Sequence, residues 1–229
     1  MLVTKTYESQ NTALTPTQLL ATYQILKTMQ KKEKCIAFYN SGNHSGASQP
    51  HKHIQFLPLN ANPPFDEFIE AHKPQNLKAG FQLPLEYSNF TIMIATPPSS
   101  AAQLAGYLGN LFMTLLDLMI DHLRRLSLIS GSEVTPIRLS QLSYNLIMTT
   151  TYMHLVPRTR ERFESGETSI SLNALAFAGQ LLFKNQNDLE ELKQFGVFEA
   201  LTSVAYPAVA NGEAELEEDS ANPVALGEF

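Results

Sequence analysis

Residues 40–55 read Asn-Ser-Gly-Asn-His-Ser-Gly-Ala-Ser-Gln-Pro-His-Lys-His-Ile-Gln, a polar, glycine-containing loop that runs directly into a His-x-His-x-Gln segment. In an extended strand successive side chains point to opposite faces and rise about 3.3 Å per residue. His51, His53 and Gln55 then share one face, and Lys52, Ile54 and Phe56 take the other. An imidazole is a good nucleophile toward phosphorus when its second ring nitrogen is held by a hydrogen-bond acceptor, which fixes the tautomer and stabilises the cation formed on attack. The covalent product would be a nucleotidyl-histidine. Negative charge developing on the phosphoryl oxygens needs preorganised donors. The backbone N–H groups of Gly46, Ala47 and Ser48, with the hydroxyls of Ser45 and Ser48, can supply them. Gln55, on the nucleophile's face, can donate an amide hydrogen bond to the same oxygens.

Two other readings of the histidine pair stay open. Histidines at i and i+2 on a strand can ligate zinc, which usually takes further His, Cys or carboxylate ligands. The single cysteine is Cys35, and His44, His72, His122 and His154 lie in separate segments, so no ligand set for a metal is assigned. The pair could also be an ordinary structural one. His44, in the loop itself, reads as a solvated side chain.

The stretch Gly46-Ala47-Ser48-Gln49-Pro50-His51-Lys52-His53-Ile54-Gln55 resembles the signature of the fungal-type diadenosine tetraphosphate phosphorylases (ATP adenylyltransferases), in the galactose-1-phosphate uridylyltransferase branch of the histidine-triad superfamily. The similarity runs on in order through Leu2-Val3-Thr4-Lys5, Leu14-Thr15-Pro16, Ser143-Tyr144-Asn145, Val156-Pro157-Arg158, and residues 171–179 with Lys184. It spans residues 2–206. The resemblance implies that His53 attacks an α-phosphate and takes AMP onto its ring while ATP leaves, after which inorganic phosphate attacks and ADP is released. By the same resemblance Gln55 binds the reacting phosphate and His51 is a supporting residue. Asn40 with Gly46, Ala47, Ser48 and Gln49 surrounds the polyphosphate, and Asn173, Gly179 and Lys184 contact nucleotide or phosphate. A divalent cation, Mg²⁺, is expected to screen the strongly anionic dinucleoside polyphosphate.

Members of that family carry a long segment ahead of the point where this chain starts, so the first part is expected to be truncated. The expected fold is α+β: antiparallel sheets with packed helices, in two histidine-triad-like parts. The division runs 1–72 for the part holding the motif, 73–83 as linker, 84–206 for the carboxy-terminal domain, and 207–229 as an acidic disordered tail. The competing function is a non-catalytic nucleotide-binding module whose adenosine pocket does not close.

Composition bounds the rest. With 229 residues, 44% of them hydrophobic, the chain can bury a sizeable core. The net charge of −6 is localised, because six of the twenty-two acids lie in 207–229 and the remaining sixteen balance sixteen bases. No basic stripe of the kind that tracks a nucleic-acid backbone is evident, and no membrane partner is expected. One cysteine cannot make an intrachain disulfide, and a cytoplasmic setting, or the nucleus, is expected.

The elements that must position the motif read as follows. Thr15 caps a helix to about Lys31, with Pro16 at its first position and Gln18 completing a capping box. Residues 35–40 form a buried strand that delivers Asn40 to the loop, and 51–59 return. A helix over 65–72 precedes a strand over 87–95 and a long helix over 100–128 whose leucines and methionines are core. Residues 142–150 and 152–156 form antiparallel strands, and 175–183 and 188–195 form helices. Asn145 either caps a turn or meets substrate. Arg158, Arg160 and Arg162, interleaved with Glu161 and Glu164, read as a solvated loop. His154 is structural or exposed, and Asp117, Asp121 and His122 lie on a solvated helix face.

Overall fold

Thr15 is extended, its hydroxyl accepts from the Gln18 N–H at 3.3 Å, and Gln18 Oε1 accepts from the Thr15 N–H at 2.9 Å. With Pro16 next, this capping box starts α1 (Pro16–Met29) as its sequence predicts. The computed structural model describes residues 1–59, 64–131, 138–166 and 168–209, so the expected acidic tail lies outside them from residue 210 onward. In chain order the other elements are β1 (Leu2–Val3), β2 (Lys34–Ser41), β3 (His53–Leu59), α2 (Pro64–His72), β4 (Phe90–Met93), α3 (Ala101–Ile129), β5 (Tyr144–Met148), β6 (Tyr152–Pro157), β7 (Arg162–Ser165), β8 (Thr168–Ser171), α4 (Ala174–Phe177), α5 (Gln186–Phe195) and α6 (Val197–Val204).

Six strands form one sheet in the order β1-β3-β2-β5-β6-β4, with every neighbouring pair antiparallel. β7 and β8 form a separate hairpin. The fold is therefore α+β, as read from the sequence. The boundary at 73–83 does not separate two sheets: β2 pairs directly with β5, Asn40 opposite Asn145.

Alternation along the strands sorts side chains onto two cores. Cys35, Ala37, Tyr39, Ile54, Leu146, Met148, Met153 and Leu155 face one way and pack with Leu19, Leu26, Leu108, Phe112 and Leu115 from α1 and α3. Ile36, Phe38, Ile147 and Val156 face the other way and pack with Ile69, Phe163, Ile170, Leu175, Phe177, Leu192 and Leu201. On β3, Ile54 and Phe56 join the first core while Leu57 and Leu59 join the second. His53 and Gln55 therefore point to the second face, as the spacing predicts. α3 is long and apolar enough to cross a membrane by length and composition; its leucines from Leu104 to Leu126 and Met119 pack into the first core, whereas Met113 and Leu128, expected there too, are exposed on the helix's outer face.

Three local expectations change. The helix expected over 175–183 is only α4, after which Gly179 takes φ +79°, a left-handed conformation that ends helices. The stretch after Arg158 is a hairpin, and α6 had no counterpart in the reading of the sequence. His122 is buried, bonded to Ser88 Oγ at 2.6 Å.

Lys52, between the two histidines, is 3% exposed, and its ammonium donates to Glu8 at 3.0 Å, to the Ala13 carbonyl at 3.0 Å and to Gln18 Oε1 at 3.4 Å. It ties the motif to the helix cap. The Lys52 hydrogen bond, then that of Gln18, holds the Glu8 carboxyl below its ordinary value of 4.5. Stability from a depressed carboxyl is present above the unfolded value and is lost as pH falls through the lower folded one. Glu8→Gln should flatten the acid limb of the unfolding curve below the ordinary glutamate range; an acid limb identical to that of the wild type would reject the pair as a contributor.

Candidate active site

The β2–β3 ladder runs from Lys34 opposite Leu59 to Phe38 opposite Gln55, and beyond it the strands part around the loop. His53, 2% exposed, stands where β3 resumes. Its Nδ1 is 2.9 Å from the His51 carbonyl oxygen. A carbonyl only accepts, so Nδ1 carries the proton and the lone pair is on Nε2. Nε2 has no hydrogen-bond partner among the described residues. This is the orientation a nucleophilic imidazole requires, and the acceptor is the backbone of His51. The His51 ring itself is turned to the amino-terminal segment, with Nε2 2.9 Å from Thr4 Oγ1 and the ring centroid 5.5 Å from that of Tyr7. Gln55 is half-buried, and its side-chain amide is unengaged among the described residues.

Gly42 turns the chain into the loop with φ +89°, and a Cβ there would lie 2.5 Å from the Leu142 carbonyl oxygen and 2.6 Å from Ser143 Cα. Only glycine fits. The Ser45 hydroxyl, expected to face phosphate, is instead buried and donates to the Gly42 carbonyl at 2.6 Å. A tight turn consumes it. Ser143 Oγ accepts from the His44 N–H at 3.0 Å. Gly46 has φ +73°, and a Cβ there would come 2.9 Å from Asn173 Cβ. The N–H groups of Gly46, Ala47, Ser48 and Gln49 donate to nothing among the described residues, and Ser48 and Gln49 are exposed.

Behind the loop lies a buried polar relay. Asn40 Oδ1 accepts from Asn145 Nδ2 at 2.8 Å and from the Ala174 N–H at 3.0 Å. Asn145 Nδ2 also donates to the Ser45 carbonyl at 2.8 Å, and Asn145 Oδ1 accepts from Arg158 Nη1 at 2.5 Å. Arg158, expected in a solvated loop, is 1% exposed. It donates further to the carbonyls of Leu172, Arg160, Glu161 and Val204, with its guanidinium 5.0 Å from the centre of the Phe177 ring. Burial pulls its pKa down to about 9, partly offset by Glu161, so it is charged at neutral pH. Strand alternation is the signal that finds it: Arg158 continues the His154, Val156 face of β6. Arg160 and Arg162 are on the surface.

The structure thus joins Asn40, the turn at Ser45–Gly46 and Asn173, and ties Asn40 to His53 through the Gln10 side chain. Asn173 Oδ1 accepts from the Leu175 N–H at 2.9 Å, leaving Nδ2 without a partner among the described residues. Gly179 and Lys184 are exposed, and no hydrogen bond or ion pair ties them to the loop among the described residues. Asn145, Arg158, Gly42, Ser143 and Gln10 belong to the site's framework without having been assigned to it. No group of three or more His, Cys, Asp and Glu side chains converges among the described residues. An apolar groove of about 170 Å³ on the α1 side of β3, lined by Leu2, Val3, Ala21 and Ile54 among others, is too apolar to hold a polyphosphate.

Two family profiles match this chain: the C-terminal domain of ATP adenylyltransferase over residues 82–207, and the N-terminal domain of Ap4A phosphorylase over residues 1–70. The chain belongs to the ATP adenylyltransferase family. Among curated relatives, diadenosine tetraphosphate phosphorylase 2 of Saccharomyces cerevisiae is 28% identical over 205 residues, covering 85% of this chain and 61% of the relative. Protein APA1 of the same yeast is 27% identical over 201 residues, covering 85% and 60%. The chain spans about three-fifths of the length of these two family members. The crystal structure of yeast Ap4A phosphorylase Apa2 in complex with AMP superposes with a TM-score of 0.71 at 26% identity, covering 92% of this chain and 69% of that one.

Arg158→Met strips donors from five acceptors, three of them in buried contacts, and leaves Asn145 free to turn, so it should cost about 3 kcal/mol or more of stability in urea unfolding. Arg158→Lys should not restore it, because an ammonium cannot reproduce the planar fork. A loss below about 1 kcal/mol for either variant would reject the relay as a stabilising unit.

Proposed function

We propose that this chain transfers a nucleotidyl group through His53, in the phosphorolysis of a dinucleoside polyphosphate to two nucleotides. The observation that carries the reading is the His53 Nδ1 to His51 carbonyl contact of 2.9 Å, beside a loop whose N–H groups at 46–49 have no internal partner. In the first step the Nε2 lone pair attacks the α-phosphorus, the bond from that phosphorus to the bridging oxygen breaks, and the remaining polyphosphate leaves on that oxygen. The imidazolium of the nucleotidyl-histidine is stabilised by the His51 carbonyl on Nδ1–H. In the second step an oxygen of inorganic phosphate attacks the same phosphorus and the phosphorus–nitrogen bond breaks, regenerating the neutral ring. With diadenosine tetraphosphate the products are ATP and ADP.

The free N–H groups of the 46–49 turn, the Gln55 amide and Asn173 Nδ2 are the donors offered to phosphoryl oxygens, and charge-directed donors of this kind act most strongly out of water. Asn40 supports the turn through Oδ1, and its Nδ2 has no partner among the described residues. Gly179 and Lys184 enter this reading through family resemblance. A divalent cation would be held by the polyphosphate oxygens, since residues 42–50 contain no carboxylate. The relatives support the substrate class: one is named for diadenosine tetraphosphate, and yeast Apa2 has been crystallised with AMP.

Incubation with a diadenosine tetraphosphate radioactive at the α-phosphate should label the protein. His53→Asn should abolish the label and lower turnover by about a thousandfold or more. Label retained in that variant would remove His53 from its role. Thermal stabilisation by ATP with no label in the wild type would leave a binding module only.

A further inference from the structure

Gln10 lies in the connection between β1 and α1 and is 2% exposed. Each of its polar groups is engaged. The backbone N–H donates to the Pro50 carbonyl at 2.8 Å, and the carbonyl accepts from Tyr39 Oη at 2.7 Å and Ser41 Oγ at 3.2 Å. In the side chain, Nε2 donates to the Asn40 carbonyl at 2.7 Å and the His53 carbonyl at 3.3 Å, while Oε1 accepts from the His53 N–H at 2.8 Å.

The register of the β2–β3 ladder, continued two residues past Phe38 and Gln55, would place Asn40 opposite His53. A direct rung needs the two backbones about 4.8 Å apart. The Gln10 amide stands between them instead, presenting a donor and an acceptor as a peptide group would. The strands are held open where the loop begins, and of the four backbone groups that such a rung would use, the Gln10 amide engages three: the Asn40 carbonyl and the N–H and carbonyl of His53.

We propose that Gln10 is the positioning residue for the His53 nucleophile: its amide replaces one rung of the sheet, and by binding both the N–H and the carbonyl of His53 it fixes the direction in which the imidazole leaves the strand. The proposal rests on the reading of His53 as the attacking group. Gln10 touches no reacting atom. It acts through the backbone that carries the ring and through the Asn40 carbonyl on the facing strand, so both sides of the loop's mouth are set by one side chain.

Three variants of the full chain separate this role from simple support of the fold. Gln10→Met keeps the length and removes donor and acceptor together; Gln10→Asn keeps the amide but cannot span the gap. Both should lower kcat by about a hundredfold, the scale expected for a reacting group displaced by an ångström, with KM unchanged. Gln10→Glu keeps the acceptor and sets a carboxylate against two carbonyl oxygens, which raises its pKa. Its kcat relative to the wild type should therefore rise as pH falls and the protonated carboxyl regains one donor. Leu115→Ala, in the core under α3, supplies a variant of lowered melting temperature with the wild-type kcat. Nitrogen NMR of the His53 ring should show the Nδ1–H tautomer in the wild type and its loss in Gln10→Met. A Gln10→Met protein with lowered melting temperature, wild-type kcat and unchanged His53 ring shifts would overturn the proposal. A wild-type chain without turnover would defeat the reading of His53 as nucleophile, while the ring shifts would still decide whether Gln10 positions it.

Discussion

Arg158 can only donate hydrogen bonds, and that constraint propagates through the site. Because its guanidinium faces Asn145, the oxygen of that side chain must point at Arg158 and the nitrogen must point at Asn40 and the Ser45 carbonyl. Asn40 must then present its oxygen to Asn145 and Ala174, which turns its nitrogen away from the relay. Two amides that could otherwise flip are each reduced to one orientation. The relay is buried, where a satisfied network is strong and a broken one is costly, so the three segments it joins behave as one body. Those segments are the end of β2, the turn at Ser45 and the start of α4.

The sheet divides the labour between its faces. On the side of α1 and α3 the strands present mainly apolar residues; Ser41 gives its hydroxyl to the Gln10 carbonyl, and the charge of Lys52 is returned to Glu8 and the helix cap. On the other side Asn40, Asn145, Arg158, His53 and Gln55 lie on adjacent strands, Asn40 and Asn145 directly paired. Polar side chains in a sheet interior are tolerable only when they satisfy one another. Here the carbonyls of Arg160 and Glu161 just before β7, of Leu172 between β8 and α4, and of Val204 at the end of α6 receive the Arg158 donors, so residues up to 46 positions away in sequence complete the coordination of a residue near the site.

Local patterns carried much of this fold in the sequence. The Thr15-Pro16-x-Gln18 cap, the period-two order of 51–59 and the apolar stripe of residues 100–128 each state their structure within a few neighbours. The short elements after residue 158 did not. Arg158, Arg160 and Arg162 have the same local composition; the alternation carried over from β6 is the one local sign that sets the first apart, and its partners at 145, 172 and 204 are what bury it. Ser45 misled for the same reason: a hydroxyl beside glycine can serve a ligand or its own turn, and the sequence pattern is alike in both.

By itself the sequence determined the α+β class, the face shared by His53 and Gln55, and the resemblance of the histidine motif, because strand alternation and helix periodicity are local properties of the chain. Tertiary structure alone decided which acceptor holds His53, which hydroxyls and amides are already spent, and that Gln10 stands between Asn40 and His53. The Gln10 bonds close across gaps between segments that no window of residues contains, and those of His53 and Ser45, though only two and three residues long, depend on a backbone conformation that the surrounding packing sets.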